Sequence, residues 1–308
     1  MIRTENLTKR YGKLAALTDL NLQIEKGKVF GFIGPNGAGK STTMLILSTL
    51  LEPSEGRAYI CGYDVVKEPK AVRQSLGYMP DFFGVYDNLT ATEYLDFYAG
   101  AYNIPASKRK SLIADLLELV NLSNKSDAYV DSLSRGMKQR LGLARCLVHS
   151  PDVLILDEPA SGLDPRARIE MREILKQLRG MGKTILISSH ILPELAELCD
   201  EIGVIEKGKL IACGAVDEVS VHTRGITIME VKILNRFEEA QEILQQFPHV
   251  KRLDDKNSHF RFHFTGSEAD KAELLQRLIQ AGIPVVHFGD SKENLEDVFL
   301  AITEGVGN

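Results

Sequence analysis

The chain has 308 residues, a length that at roughly 150 residues per domain accommodates two domains. Hydrophobic residues make up 44% and charged residues 26%, which is ordinary globular usage and excludes a disordered or collagen-like chain. The net charge is −5; a nucleic-acid reader shows a basic surplus, so nucleic acid is not expected among the partners.

The charge is unevenly spread. Residues 225–308 carry 9 basic and 14 acidic residues, whereas the preceding ones balance at 28 of each. Cys61, Cys146, Cys199 and Cys213 lie far apart with no C-x-x-C pair, which leaves no zinc-ligand spacing and suits reduced thiols in the cytosol. No stretch approaches the ~18 apolar residues of a membrane span. The start MIRTENLTKR has no apolar leader core and the end EGVGN no lipidation cysteine, so a soluble intracellular chain is expected.

In chain order, Leu20, Leu22 and Ile24 alternate with polar neighbours as in a half-buried strand. Val29-Phe30-Gly31-Phe32-Ile33 is a continuous apolar run, the pattern of a strand buried on both faces. A helical pattern covers 40–51. Further strands are predicted at 153–156, 184–188 and 202–205, and helices at 91–102, 107–120, 135–149, 165–180 and 191–199. Strands alternating with helices define an α/β layered domain. From Ile226 the rhythm changes to strand 226–233, helix 237–247, strands 249–254 and 258–264, helix 268–281 and strand 284–288, with a last helix at 293–303. The first six spell β-α-β-β-α-β, the ferredoxin-like order. A boundary is expected near 222–225.

Gly34-Pro35-Asn36-Gly37-Ala38-Gly39-Lys40-Ser41 matches G-x-x-x-x-G-K-[ST] and is followed by Thr42. Strand before and helix after is the context in which such a loop wraps phosphate oxygens with its N–H groups. The helix N-terminus adds about half a positive charge. Lys40 would reach the β- and γ-phosphates and the Ser41 hydroxyl would ligate Mg²⁺. The predicted strand 153–156 runs into Asp157-Glu158-Pro159. There Asp157 can hold Mg²⁺ through water, and Glu158 can act as general base on the attacking water. The strand from Thr184 ends in Ser188-Ser189-His190; a lone histidine at a strand end is more often structural, and its position after the two carboxylates raises the functional reading.

Between these lies Leu133-Ser134-Arg135-Gly136-Met137-Lys138-Gln139-Arg140. It resembles the L-S-G-G-Q signature of ATP-binding-cassette (ABC) ATPases. The order of phosphate loop, signature, VLILDEP, Ser161-Gly162-Leu163-Asp164 and His190 is that family's order over residues 2 to about 220. The resemblance implies an ABC ATPase nucleotide-binding domain at 1–222, with a helical subdomain at about 83–150, and an accessory domain at 225–308. It implies ATP and Mg²⁺ as cofactors and a head-to-tail dimer around two ATP, each gripped by one chain's phosphate loop and the other's signature. Ser134, as N-cap of its helix, and Gly136 would then meet the γ-phosphate; Tyr11 matches the adenine-stacking position, although as a bare residue it reads equally as core or surface. His190 becomes the switch histidine acting with Glu158, and Asp164 belongs to the loop coupling the two sites.

Two departures stand out. Arg135 and Met137 replace the usual Gly and Gln, and Asp81 stands where the family carries Gln. A carboxylate can still ligate Mg²⁺, so Asp81 is expected to keep a metal-sensing role with altered coupling. The resemblance further implies an integral-membrane permease as partner, a peripheral location on the cytoplasmic face of the membrane, and a homodimer or a heterodimer with a paralogue. Phe82, Phe83 and Tyr86 are candidates for the permease groove, and the other aromatics of 82–102 read either as groove or as core. A non-transport ABC ATPase acting on DNA or ribosomes is the rival, disfavoured by one cassette and no basic arms. Asn124-Lys125-Ser126-Asp127 fits the guanine-reading N-K-x-D but precedes Asp157, the wrong order for a GTPase, and reads as a polar turn. The tail resembles the C-terminal domain of exporter-type ABC subunits, with a role in dimer contact or regulation. Its His259 and His263 would stand about 13 Å apart at ~3.3 Å per residue, too far to share a metal ion.

Overall fold

A computed structural model describes residues 1–81, 88–189, 195, 197–216, 227–256 and 259–290. The alternation at Leu20, Leu22 and Ile24 places these side chains on the buried face of β2 (Leu14–Ile24), paired antiparallel with β1 (Ile2–Tyr11). Strands β4 (Glu55–Ile60) and β5 (Tyr63–Asp64) complete a sheet of order β2-β1-β4-β5. β1 has no clear period because its register shifts between Thr4 and Leu7, and Asn6 there has φ 48°. One extra residue in a strand reverses which side chains face the core.

The apolar runs build the second sheet. Strands β3 (Val29–Ile33), β6 (Leu76–Met79), β7 (Val153–Leu156), β8 (Thr184–Ser189), β9 (Glu201–Glu206) and β10 (Lys209–Ala215) lie in the order β10-β9-β3-β8-β7-β6. All neighbours are parallel except β10 on β9. Every residue of β3, β7 and β8 is buried, as a parallel sheet covered on both faces requires. The helices are α1 (Lys40–Leu47), α2 (Pro69–Ser75), α3 (Ala91–Ala101), α4 (Ala106–Leu119), α5 (Arg135–Leu147) and α6 (Pro165–Gly180). The helix expected at 40–51 stops at Leu47, because Thr49 turns to φ 63°. A capping box starts α3: Thr90 Oγ1 accepts from the Glu93 amide, and the Glu93 carboxylate takes the Thr90 N–H.

Contacts divide the chain into Met1–Val216 and Asp217–Asn308. The second unit runs β11 (Thr227–Ile233), α7 (Phe237–Gln246), β12 (Val250–Lys256), β13 (His259–Phe264), α8 (Glu268–Gln280) and β14 (Val285–Asp290). Its antiparallel sheet has the order β12-β13-β11-β14, so the β-α-β-β-α-β reading holds. Phe260, Phe262 and Phe264 on one face of β13 pack with Leu244, Leu274 and Leu278 of the helices. On the other face His259 is exposed, with Nδ1 3.5 Å from Glu230. No cluster of three metal-ligating side chains occurs among the described residues. The expected helices 191–199, in most of its length, and 293–303 lie outside the described residues.

Candidate nucleotide site

Strand register decides which residues meet. Ile33 pairs with Ser189, Leu156 with Ile187 and Met79 with Leu156. The chain therefore leaves β3, β6, β7 and β8 along one carboxyl edge, where open α/β sheets bind ligands. Residues 34–41 emerge from β3, Asp81 follows β6, and Asp157 and Glu158 follow β7. An open pocket of about 250 Å³ gathers Pro35 through Thr42 with Asp81, Glu158 and Ser161.

The loop suits an anion. Gly39 is the N-cap of α1 at φ 112°, the first turn holds no acidic residue, and no side chain caps it. A Cβ on Gly39 would fall 2.7 Å from Leu17 Cδ2 and 2.8 Å from the Ala16 carbonyl oxygen, so only glycine lets the loop close against β2. Lys40 Nζ donates to the carbonyls of Gly34 at 2.5 Å and Pro35 at 3.3 Å, and lies 3.7 Å from Glu158 Oε1. Burial pushes the Lys40 pKa below its usual value, opposed by the nearby charges of Glu158 and Asp157. Bare helical N–H groups beside a cation form a phosphate cradle.

Behind this pocket lies a buried hydroxyl that sequence reasoning passed over. Ser188 Oγ donates to Asp157 Oδ1 at 2.6 Å and accepts from the Glu158 N–H at 2.9 Å. The only sequence signal was a polar residue ending an apolar strand. Glu158 itself adopts φ 51°, although the following Pro159 biases it toward extended backbone. Its amide is fixed by Ser188, and its carbonyl accepts from the Ser161 N–H at 3.0 Å. Ser41 and Asp81 line the pocket and Asp157 lies behind it on Ser188; all three carry the hard oxygens that Mg²⁺ takes, so their chemistry fits that ion.

The other expected residues lie elsewhere. Tyr11, at the end of β1, is 50% exposed, with Lys9 Nζ 5.3 Å from its ring centre, and does not line the pocket. Ser134 caps α5, its hydroxyl accepting from the Met137 amide at 3.3 Å, and Gly136 follows in the first turn. Asp164 caps α6 and accepts from the Ala167 amide at 2.9 Å. His190 and the groove candidates Phe82, Phe83 and Tyr86 lie outside the described residues. Of the remaining aromatics, Tyr94 is fully buried, Phe97 and Tyr102 are exposed, and Tyr98 is half-buried. Asn124 and Lys125 sit in a 3₁₀ turn and do not line the pocket.

A parallel sheet whose carboxyl edge carries a phosphate loop and two carboxylates defines a nucleotide-binding α/β cassette. The family described as ABC transporter matches residues 17–161, and the one described as ATP-binding protein DrrA1-3-like, C-terminal domain, matches residues 214–303. The chain is 32% identical over 305 residues to the linearmycin resistance ATP-binding protein LnrL of Bacillus subtilis (strain 168), covering 98% of each. It is 38% identical to the Nod factor export ATP-binding protein I of Burkholderia orbicola (strain AU 1054), over 97% of this chain and 95% of that one. A dimeric post-hydrolysis structure of the ATP-binding cassette MJ0796 bound to ADP and Pi superposes with a TM-score of 0.64 at 26% identity, covering 70% of this chain and 99% of that one. The chain belongs to the ATP-binding proteins of the ABC transporter family, with the DrrA-like C-terminal domain. It is an ATP-hydrolysing cassette that uses ATP with Mg²⁺.

Proposed function

We propose that two copies of this chain, or one copy and a paralogue, clasp two ATP molecules and power export through a separate membrane permease from the cytoplasmic face. The observation that carries the reading is the convergence of Lys40, Asp81 and Glu158 on one pocket beneath the uncapped start of α1. Lys40 and the amides of residues 37–42 bind the phosphates. Glu158, partly accessible beside the buried Lys40, accepts the proton of the attacking water. Ser188 holds the Asp157 carboxylate and the Glu158 main chain in place. Mg²⁺, held by Ser41 and Asp157 with Asp81 nearby, would neutralise charge on the phosphate oxygens. Tyr11 would stack on adenine and His190 would assist Glu158.

The MJ0796 cassette is dimeric in its structure with ADP and Pi, and the relatives' names describe export and resistance; both support the reading. The exposed Ser134 at the tip of α5 can present its hydroxyl to the second copy's nucleotide. No helix among the described residues is long and apolar enough to cross a membrane, so a transport path is assigned to a partner. Tyr98, Tyr102 and Arg145 wall an open cavity of about 210 Å³ with Leu50 and Arg73. Its aromatic and arginine lining is that of an interface core, which suits a permease segment. The cassette is proposed to run over 1–222 and the accessory domain over 225–308, a few residues beyond the contact division after Val216, with the second unit serving dimer contact or regulation.

Glu158→Gln is the test. It is expected to bind ATP without turnover and to accumulate as a nucleotide-bound dimer on sizing in ATP. Turnover at the parent rate would overturn the assignment of the base. Failure to copurify with any polytopic membrane protein encoded beside its gene would overturn the transport reading.

A further inference from the structure

The loop 161–164 is held at almost every residue. Ser161 N–H donates to the Glu158 carbonyl at 3.0 Å, Leu163 N–H to the Ala160 carbonyl at 3.3 Å, and Arg168 Nε to the Leu163 carbonyl at 3.0 Å. The remaining residue, Gly162, has φ 65° and is exposed. On its Cβ side it meets a side chain from another element. A Cβ built on Gly162 would lie 2.6 Å from Arg135 Cζ and 2.7 Å from each Nη. Near-equal distances to the carbon and both terminal nitrogens place that point over the flat face of the guanidinium, between Cζ and the two Nη atoms. Arg135 therefore lies face-on over the glycine. The helices beneath are in contact too: a Cβ on Gly136 would fall 2.8 Å from Ala167 Cβ.

We propose that Arg135 is a positioning residue for ATP hydrolysis: its guanidinium, laid flat over Gly162, braces the loop 161–164 and, through the Ser161–Glu158 hydrogen bond, the main chain that carries the base. The planar head of arginine can lie flat against the bare side of a glycine in a way that the point charge of lysine does not. Residue 162 must lack a side chain for the guanidinium to rest there. Ser161 lines the phosphate pocket beside Glu158, so a loose loop would misplace the base after ATP has bound. Nucleotide contacts made by residues 35–42 would be untouched. The brace thus acts on kcat and leaves KM for ATP in place. The inference rests on the reading of Glu158 as base for its effect on rate, while the brace itself is readable without turnover.

Two measurements decide it. Hydrogen exchange of the ATP-free protein should show the Ser161 and Leu163 amides opening roughly 3- to 10-fold faster in Arg135→Ala than in the parent, and unchanged in Glu158→Gln. In ATPase assays Arg135→Ala should lower kcat roughly 3- to 10-fold with KM held within about twofold. Arg135→Lys should fail to restore it. Gly162→Ala, whose new methyl displaces the guanidinium, should lower kcat as well. The double variant should then be no worse than the poorer single one, because the two changes remove one contact. Unchanged exchange at 161 and 163 would overturn the brace. So would multiplicative effects in the double variant, recovery with lysine, or a raised KM at constant kcat, the last marking Arg135 as a direct phosphate contact. Parent-like turnover in Glu158→Gln with faster exchange in Arg135→Ala would instead sink the base assignment and leave the brace standing.

Discussion

Ser188 donates its hydroxyl hydrogen to Asp157 Oδ1 at 2.6 Å from the neighbouring parallel strand, and both residues are buried. The same oxygen accepts the Glu158 N–H, so one side chain serves two consecutive acidic residues. Ser188→Ala leaves a buried carboxylate oxygen and an amide without their partner, a loss of about 1–3 kcal/mol. The melting temperature should fall accordingly, and ATPase activity should fall by more than the unfolded fraction explains. Activity following stability alone would show that the hydroxyl is only structural.

Arg140 ties three helices together. It donates to the carbonyls of Val120 and Asn121 at the end of α4, at 2.9 and 3.1 Å, and pairs with Glu170 of α6 at 3.2 Å. A cation at a helix C-terminus is favourable, and its loss strands those carbonyls. Glu170 is 30% exposed and also meets Arg166. The cost of Arg140→Met is therefore placed at about 2 kcal/mol, below the ~3–5 kcal/mol of a fully buried pair. Denaturant titration of the two proteins measures it.

His149 stacks on Tyr102 with ring centres 3.9 Å apart and planes 7° from parallel. Its Nε2 lies 3.0 Å from the Leu76 carbonyl, and its buried Nδ1 has no hydrogen-bond partner among the described residues. Burial pushes its pKa below the ordinary 6.5, and Lys183 adds to the shift against the Leu76 carbonyl. Between the lowered folded value and 6.5 the unfolded chain binds the proton first. Stability is then complete above about pH 6.5, falls as pH drops through that window, and flattens below it. Thermal melts from pH 7.5 to 5.5 should show this slope, and His149→Phe should remove it.

In the second unit, Phe262 is 1% exposed between its neighbours on β13 and the helices α7 and α8. Phe262→Ala should cost about 3–5 kcal/mol. Calorimetry should show the transition of that unit lowered, while the ATP-responsive transition of the cassette stays in place. A shift of both by equal amounts would show that the units melt as one.

The residues legible in the sequence were those whose local pattern matches one physical demand. The all-apolar 153–156 run had to be buried on both faces, and the 34–41 loop could close only with glycine. The alternating phenylalanines of β13 needed one core face. β1 was not legible, since the irregularity at Asn6 breaks its alternation. Ser188 and Arg135 were opaque for another reason. Their partners, Asp157 and Gly162, are 31 and 27 positions away, and only the strand order and the helix contacts bring them together. Asp157 and Glu158 were read as a pair, but the hydroxyl that organises them comes from a different strand.

The left-handed main chain at Glu158 has a cost that a residue without a side chain would escape. A Glu158→Gly chain would shed that backbone cost but leave the buried Lys40 without its 3.7 Å partner, and it would do no work on ATP. The acid at this position thus trades main-chain comfort for charge balance in the pocket, which makes it a residue kept for what it does and against what the backbone would settle into by itself.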